Sequence, residues 1–68
     1  MKITYFTDTD TALIEFSDAV VSQTREVSED TYLDLDDTGA LARMTIEHAR
    51  EKANISELSF VQMGKAVA

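Results

Sequence analysis

The sequence has no cysteine, no proline and no tryptophan, and its 68 residues include one histidine and two glycines. Without cysteine the chain forms no disulfides, and with His48 as its sole imidazole a zinc site is not expected. Two isolated glycines exclude a glycine-rich phosphate-binding loop. No apolar run approaches the ~20 residues that span a bilayer, and the first residues lack the apolar stretch of a signal peptide. We therefore expect a cytoplasmic protein with no membrane contact, no metal and no cofactor.

Residues suited to catalysis are also scarce. His48 has Glu47 beside it, but a single histidine at the end of a predicted strand is more typical of a structural or exposed role. The sequence offers no second histidine that could act as a base for Ser17 or Ser56, and no glycines are placed to form an oxyanion hole. We expect that the protein is not an enzyme.

Charge of one sign dominates the chain. Thirteen acidic side chains against six basic ones give a formal net charge of −7. Such a chain repels phosphate backbones and anionic lipids, so it is not expected to bind nucleic acid on its own. The same charge would steer it toward a small basic protein.

The chain is short enough to form only one domain, residues 1–68. A domain of this size buries about 60% of its unfolded surface, which makes a single core a marginal source of stability. Because disulfides and metals cannot supply the rest, we expect the protein to assemble as a homo-oligomer.

Alternation of apolar and polar residues predicts strands over residues 2–6, 11–16, 20–27, 31–36 and 40–48. Short polar turns separate them, which predicts a five-stranded antiparallel meander over residues 1–48. Asp37-Thr38-Gly39 fits a three-residue hairpin loop that closes with glycine in the left-handed region.

Residues 49–64 change character and are expected to be helical, followed by a tail of residues 65–68. Asn54 and Glu57 resemble a capping box and Gly64 a helix stop, so the pattern predicts a helix over Ile55–Met63. The fold class is therefore α+β. Apolar residues lie on two sides of this helix, and one side has no cover within so small a domain. We predict an interface at Leu58, Phe60, Val61 and Met63. In the alternative interpretation, Phe60 is one exposed aromatic residue, which needs no partner.

Acidic residues concentrate in the turns. In a meander alternate turns lie at the same end of the sheet, which brings together the carboxylates of the first and third turns and separates them from those of the fourth. The residues predicted to steer a partner are Asp8, Asp10, Glu29, Asp30, Asp36 and Asp37. They could also hold a cation, although ordinary turn formation explains most such clusters. The loop at Asp34 matches the first half of an EF-hand, but Thr45 stands where the bidentate glutamate is required.

Several stretches resemble the short prokaryotic proteins grouped as domain-of-unknown-function family 2283. The matching motifs are Met1-Lys2-Ile3-Thr4-Tyr5, Asp10-Thr11-Ala12-Leu13-Ile14-Glu15-Phe16-Ser17-Asp18, Tyr32-Leu33-Asp34-Leu35-Asp36-Asp37-Thr38-Gly39 and Ile46-Glu47. The resemblance covers about residues 1–49. The sequence departs from the family pattern at two places. Phe6 and Thr7 replace the usual Asp after Tyr5, and Thr45 stands where the family has glycine. The resemblance implies a small oligomeric β-rich protein with no established activity, and neutralisation of a small toxin is a role considered for some relatives.

These observations favour a non-catalytic protein-binding module, antitoxin-like in manner, that binds a basic protein partner. The alternatives are a self-contained structural homo-oligomer and a small cation- or ligand-binding protein that uses the turn carboxylates.

Overall fold

The computed structural model describes residues 1–64, and the predicted tail lies outside them. The fold is α+β, with five strands and one short helix. The elements are β1 (Lys2–Phe6), β2 (Thr11–Glu15), β3 (Gln23–Ser28), β4 (Thr31–Leu35), β5 (Leu41–Glu47) and α1 (Ala49–Lys52). All five predicted strands are confirmed, although β3 begins later than predicted.

The strands form one antiparallel sheet in the order β1-β2-β5-β4-β3, so the predicted meander is wrong. Strands β2 to β5 form a Greek key, and β1 extends it as a hairpin with β2. All six residues of β3 are exposed and most are polar, which suits an edge strand, whereas β5 carries Ala42, Met44 and Ile46 in the centre. The link of residues 16–22 passes two strands to reach β3. It is therefore longer than the turn predicted at Ser17–Ala19.

Register separates the sheet into two chemically different faces. Paired residues of neighbouring strands project to the same side. Two apolar rows share one side: Ile3, Ile14, Met44 and Leu33 form the first, and Tyr5, Ala12 and Ile46 form the second. We call this side the apolar face. The alternation in the sequence predicts this division, and the register confirms it.

The opposite side, the polar face, carries every carboxylate of the strands. These carboxylates belong to Glu15, Glu26, Asp34 and Glu47. One row across this face alternates in sign, since Lys2 pairs with Glu15, Glu15 with Arg43 and Arg43 with Asp34. Arg43 Nε lies 3.2 Å from Asp34 Oδ2. Cross-strand pairs of opposite charge favour this register over a shifted one.

The sheet has no second layer in the described part of the chain. Each strand packs on its neighbours in the sheet, and α1 packs on the end of β5. The buried apolar residues are Ala12, Ala42 and Ala49, and no large side chain among residues 1–64 is fully buried. Domains are normally stabilised by packing two layers around a core. Here the larger apolar side chains of the sheet remain half-buried.

The hairpin between β4 and β5 forms as predicted. Gly39 adopts a φ of 86°, in the left-handed region, and its N–H donates to the Asp36 carbonyl. Asp36 Oδ1 accepts hydrogen bonds from the Thr38 and Ala40 N–H groups, each at 2.9 Å, and from the Thr38 hydroxyl at 2.6 Å. These bonds lower the pKa of Asp36, with the Thr38 hydroxyl contributing most.

The predicted helix over Ile55–Met63 is wrong. Asn54 and Glu57 do interact, since Asn54 Nδ2 donates to Glu57 Oε2 at 3.1 Å and the Glu57 N–H donates to the Asn54 carbonyl, but these are turn contacts and not the reciprocal side-chain to backbone bonds of a capping box. The turn does not propagate, and residues 53–64, the C-terminal segment, continue without helix. A helix of nine residues is marginal in water unless an apolar face is packed, and no surface packs on both sides of this one.

Candidate functional site

One end of the sheet holds two connected clusters of polar contacts, centred on Asp10 and Asp30. At this junction end the β1–β2 turn, the β3–β4 turn and the passage from β5 into α1 meet. Strand direction alternates along the chain in this strand order, as it does in a meander. The predicted grouping of Asp8 and Asp10 with Glu29 and Asp30 at one end is therefore confirmed, and the 36–40 hairpin lies at the other end.

Asp30 is the centre of the first cluster at the junction end. Only 7% of the residue is exposed, and its backbone carbonyl accepts the Glu47 N–H at 2.7 Å. Its Oδ1 lies 2.7 Å from His48 Nδ1, and its Oδ2 lies 3.4 Å from Lys52 Nζ. A carboxylate only accepts, so His48 Nδ1 carries the proton in this contact. Asp30 thereby ties the β3–β4 turn to the start of α1.

Asp10 holds the other side of the same junction. Its Oδ1 accepts the Tyr5 hydroxyl at 2.6 Å and the Arg50 N–H at 3.2 Å, and its carbonyl accepts the Ala49 N–H at 3.0 Å. The Arg50 guanidinium carbon lies 6.0 Å from the centre of the Tyr5 ring, at the outer limit of a cation–π contact. Ala49 is fully buried between these contacts.

Two residues at the junction end adopt backbone conformations that side chains rarely take. Asp10 and His48 both have a φ of 54°, in the left-handed region. Asp and His enter this region more readily than most residues do. His48 turns the chain out of β5 and into α1. The hydrogen bonds of Asp10 and Asp30 hold the two turns in place.

The two clusters shift the pKa of their members in opposite directions. The hydrogen bond from His48 lowers the pKa of Asp30, with a smaller contribution from Lys52, and the Asp30 carboxylate raises the pKa of His48. In the same way the Tyr5 hydroxyl lowers the pKa of Asp10, and its bond to Asp10 raises the pKa of Tyr5. Both carboxylates are therefore held in the ionised form.

Negative potential extends from the junction end onto the polar face. The pKa of the Tyr32 phenol is raised, first by Glu47 and then by partial burial. Further carboxylates add to the effect, namely those of Glu26, Asp30 and Glu29. A phenol surrounded by carboxylates reports an electrostatic field that attracts cations and cationic groups.

The chemistry available at the junction end is structural. An aspartate that orients a histidine can serve acid–base catalysis, but here His48 and Lys52 neutralise Asp30. Within residues 1–64 every buried side-chain nitrogen and oxygen has a hydrogen-bond partner, so none is aimed at a ligand. In the same range no three His, Asp or Glu side chains are grouped closely enough to hold a metal ion. The expectation that the protein is not an enzyme stays a prediction.

The structure divides the predicted steering residues into two groups. Asp10, Asp30 and Asp36 accept intramolecular hydrogen bonds. The other three are exposed and lie in the turns, namely Asp8, Glu29 and Asp37. Sequence reasoning did not find the contacts of Asp30 with His48 and Lys52, because they depend on the left-handed turn at His48 that begins α1, whereas the pattern predicted a strand through residue 48.

The predicted interface residues lie in the C-terminal segment. The exposed fractions are 73% for Leu58, 80% for Phe60, 75% for Val61 and 72% for Met63. The first part of the segment crosses the apolar face beside β1, β2 and β5, and a groove of ≈ 260 Å³ separates the two. None of the four side chains is buried against the sheet.

The described residues contain no helix with the length and apolarity that crossing a bilayer requires. Comparison with protein families matches residues 2–50 to the family described as "Protein of unknown function (DUF2283)". This match includes all five strands and the first two residues of α1, and it leaves out the C-terminal segment. No curated protein and no solved structure matches the chain.

Proposed function

The chain belongs to the DUF2283 family of proteins of unknown function, and we propose that it acts as a non-catalytic protein-binding module. Its partner is a small basic protein, which it inactivates by occlusion in the manner of an antitoxin. The observation that carries this proposal is the exposure of four large apolar side chains in the C-terminal segment.

Single exposed apolar residues are ordinary, but here four fall within six residues of the chain. Leu58, Phe60, Val61 and Met63 are each more than two-thirds exposed. Contiguous apolar patches on a soluble surface mark interaction sites, and Phe and Met are enriched at protein interfaces. The hydrogen bonds between Asn54 and Glu57 close a turn that can extend into a helix once a partner covers its apolar side.

The charge of the chain indicates the class of partner. Thirteen carboxylates lie in a chain of net charge −7, and those of the strands share the polar face. The exposed carboxylates of Asp8, Glu29 and Asp37 remain directed to solvent in the turns. Complementary charge accelerates encounter and discourages partners of the same sign. A basic protein therefore gains both steering by these carboxylates and an apolar anchor at Phe60.

The family match supports a division of labour within the chain. It ends at residue 50, so the sheet is what the family describes and the C-terminal segment lies outside that description. A segment that is not constrained by the sheet can carry partner choice while the sheet stays the same. On this proposal the residues that choose the partner lie in the C-terminal segment.

The proposal is tested by a pull-down of the tagged full chain from its own cells in mild salt, with mass spectrometry of the recovered proteins. The comparison variant is Phe60→Ser, and the matched control is Val20→Ser. Val20 is 86% exposed, like Phe60, but lies in the link between β2 and β3. Both changes remove an exposed apolar side chain and should alter the free energy of unfolding by less than about 0.5 kcal/mol.

We expect a stoichiometric basic protein with the wild-type chain and with Val20→Ser, and its loss with Phe60→Ser. Recovery should fall when salt is raised to ~1 M, where the Debye length contracts to about 3 Å. If all three chains recover the same proteins, the C-terminal segment is not the binding site.

A further inference from the structure

We propose that the apolar face of the sheet is covered by the same face of a second copy of this chain. The result is a face-to-face homodimer that forms a two-layered β-sandwich. This inference goes beyond the proposed function, because it concerns self-association through the sheet and not the binding of a basic partner.

Among the described residues, no second layer of secondary structure packs on the apolar face of the sheet. The apolar face presents two rows of aliphatic and aromatic side chains, yet only three alanines are buried apolar residues among those described. A 68-residue chain with no disulfide has little stability to spare. Two sheets that pack face to face interdigitate such rows in a core about 10 Å thick. A second copy supplies that layer with the same rows.

The chain's own C-terminal segment leaves part of the apolar face uncovered. The segment crosses the apolar face beside β1 and β2, with Ile55 half-buried there. Beyond this point Leu58 lines the groove but stays 73% exposed, and Phe60 is 80% exposed, so the segment buries little of the face. The part of the face that includes Leu33 and Met44 does not line the groove beneath the segment.

The carboxylates of the strands are confined to one side of the sheet. The chain has thirteen acidic residues, yet none of the strand carboxylates lies on the apolar face. Arg25 pairs with Leu33 and therefore lies on this side, but on the exposed edge strand β3, so two such faces meet without burying carboxylates against each other. The absence of carboxylates there also gives a basic protein no electrostatic reason to choose this face.

The area of the apolar face can be compared with the area that a stable dimer buries. Five strands about 4.8 Å apart and about five residues long, at ~3.4 Å per residue, give roughly 400 Å² of flat surface per chain. Accessible surface exceeds flat surface because side chains are uneven, so pairing two faces, together with the part of the C-terminal segment that crosses each, removes on the order of 1,000 Å² from water. This is near the lower limit of stable specific interfaces. We therefore expect a dimer that dissociates on dilution.

The arrangement has a functional consequence. The ends of the sheet and the polar face remain outside the interface, whereas Leu58 and Phe60 lie at its border because they line a groove together with Ile3. Self-association therefore leaves the strand carboxylates free to steer a partner, and it competes with partner binding only where the C-terminal segment meets the apolar face.

The test compares Met44→Asp with Thr45→Asp by light scattering coupled to size exclusion. The two positions are adjacent on β5 and similarly half-buried, but Met44 lies on the apolar face and Thr45 on the polar face. We expect the wild type and Thr45→Asp to have twice the chain mass of 7.6 kDa, and Met44→Asp to have the monomer mass with its β-sheet circular dichroism retained. Equal masses for the two variants would overturn the proposal.

If Met44→Asp does not fold, the wild type alone decides. The melting temperature of a dimer falls on dilution because folding is linked to association. We expect such a fall over a hundredfold range of concentration. A monomer mass at high concentration with a melting temperature independent of concentration would refute the dimer. This readout does not depend on Phe60, so it can fail while the pull-down succeeds, and the reverse.

Discussion

Substitution of Gly39 tests whether the β4–β5 hairpin sets the register of the central strands. Gly39 has a φ of 86°, and a Cβ built on it would meet no atom within 4 Å. Gly39→Ala therefore adds no clash, and the whole effect comes from backbone conformation. Gly64 also has open space around it but no left-handed φ, which makes Gly64→Ala a matched control.

The expected magnitude follows from two opposing effects. Placing a residue with a Cβ in the left-handed region costs about 1–2 kcal/mol. Removing a glycine from the unfolded chain returns about 0.4–1 kcal/mol by lowering its entropy. The net loss for Gly39→Ala is then ~1 kcal/mol, which shifts the melting temperature of a domain this size by roughly 4–8 °C. Gly39→Asn should lose less, because Asn tolerates the left-handed region better.

Thermal unfolding followed by circular dichroism, at one protein concentration for all variants, measures these differences. Gly64→Ala should change the melting temperature little or raise it slightly. If Gly39→Ala were as stable as Gly64→Ala, the left-handed turn would not be what closes the hairpin.

Two further predictions concern the junction end. Because His48 has a raised pKa, its contact with Asp30 stabilises the fold fully below the ordinary value of 6.5 and less as the pH rises through the raised value. Because the pKa of Asp30 is lowered from 3.8, the contact is also lost in acid. Urea midpoints from pH 4 to 9 should show His48→Asn closest to wild type at high pH, and parallel profiles would contradict this. Ala49→Leu should cost about 1–3 kcal/mol by overpacking, and an unchanged urea midpoint would mean that the site is not packed.

The sequence was sufficient to predict the strands and their faces. Alternation of apolar and polar residues is local information, and it placed Ile14 and Met44 on one face and Glu15 and Arg43 on the other. The hairpin at Gly39 was also predictable, since its conformation requires a specific residue at a specific position.

The strand order could not be predicted in the same way. Which strand pairs with β2 depends on contacts between residues about thirty positions apart, such as Ile14 with Met44. The contacts of Asp10 with Ala49 and Arg50 depend on this order in turn, because it places β2 beside β5. The helix predicted in the C-terminal segment was wrong for another reason. Capping residues mark where a helix can begin, but packing decides whether it continues.

The measurement that tests the account most directly is isotope-filtered NMR on an equimolar mixture of labelled and unlabelled chains. We expect intermolecular contacts from the Met44 and Leu33 side chains on the apolar face. We expect none from Leu13, which lies on the polar face of the same sheet. Contacts from Leu13 alone, or no intermolecular contacts at millimolar concentration, would contradict the claim that a second copy covers the apolar face.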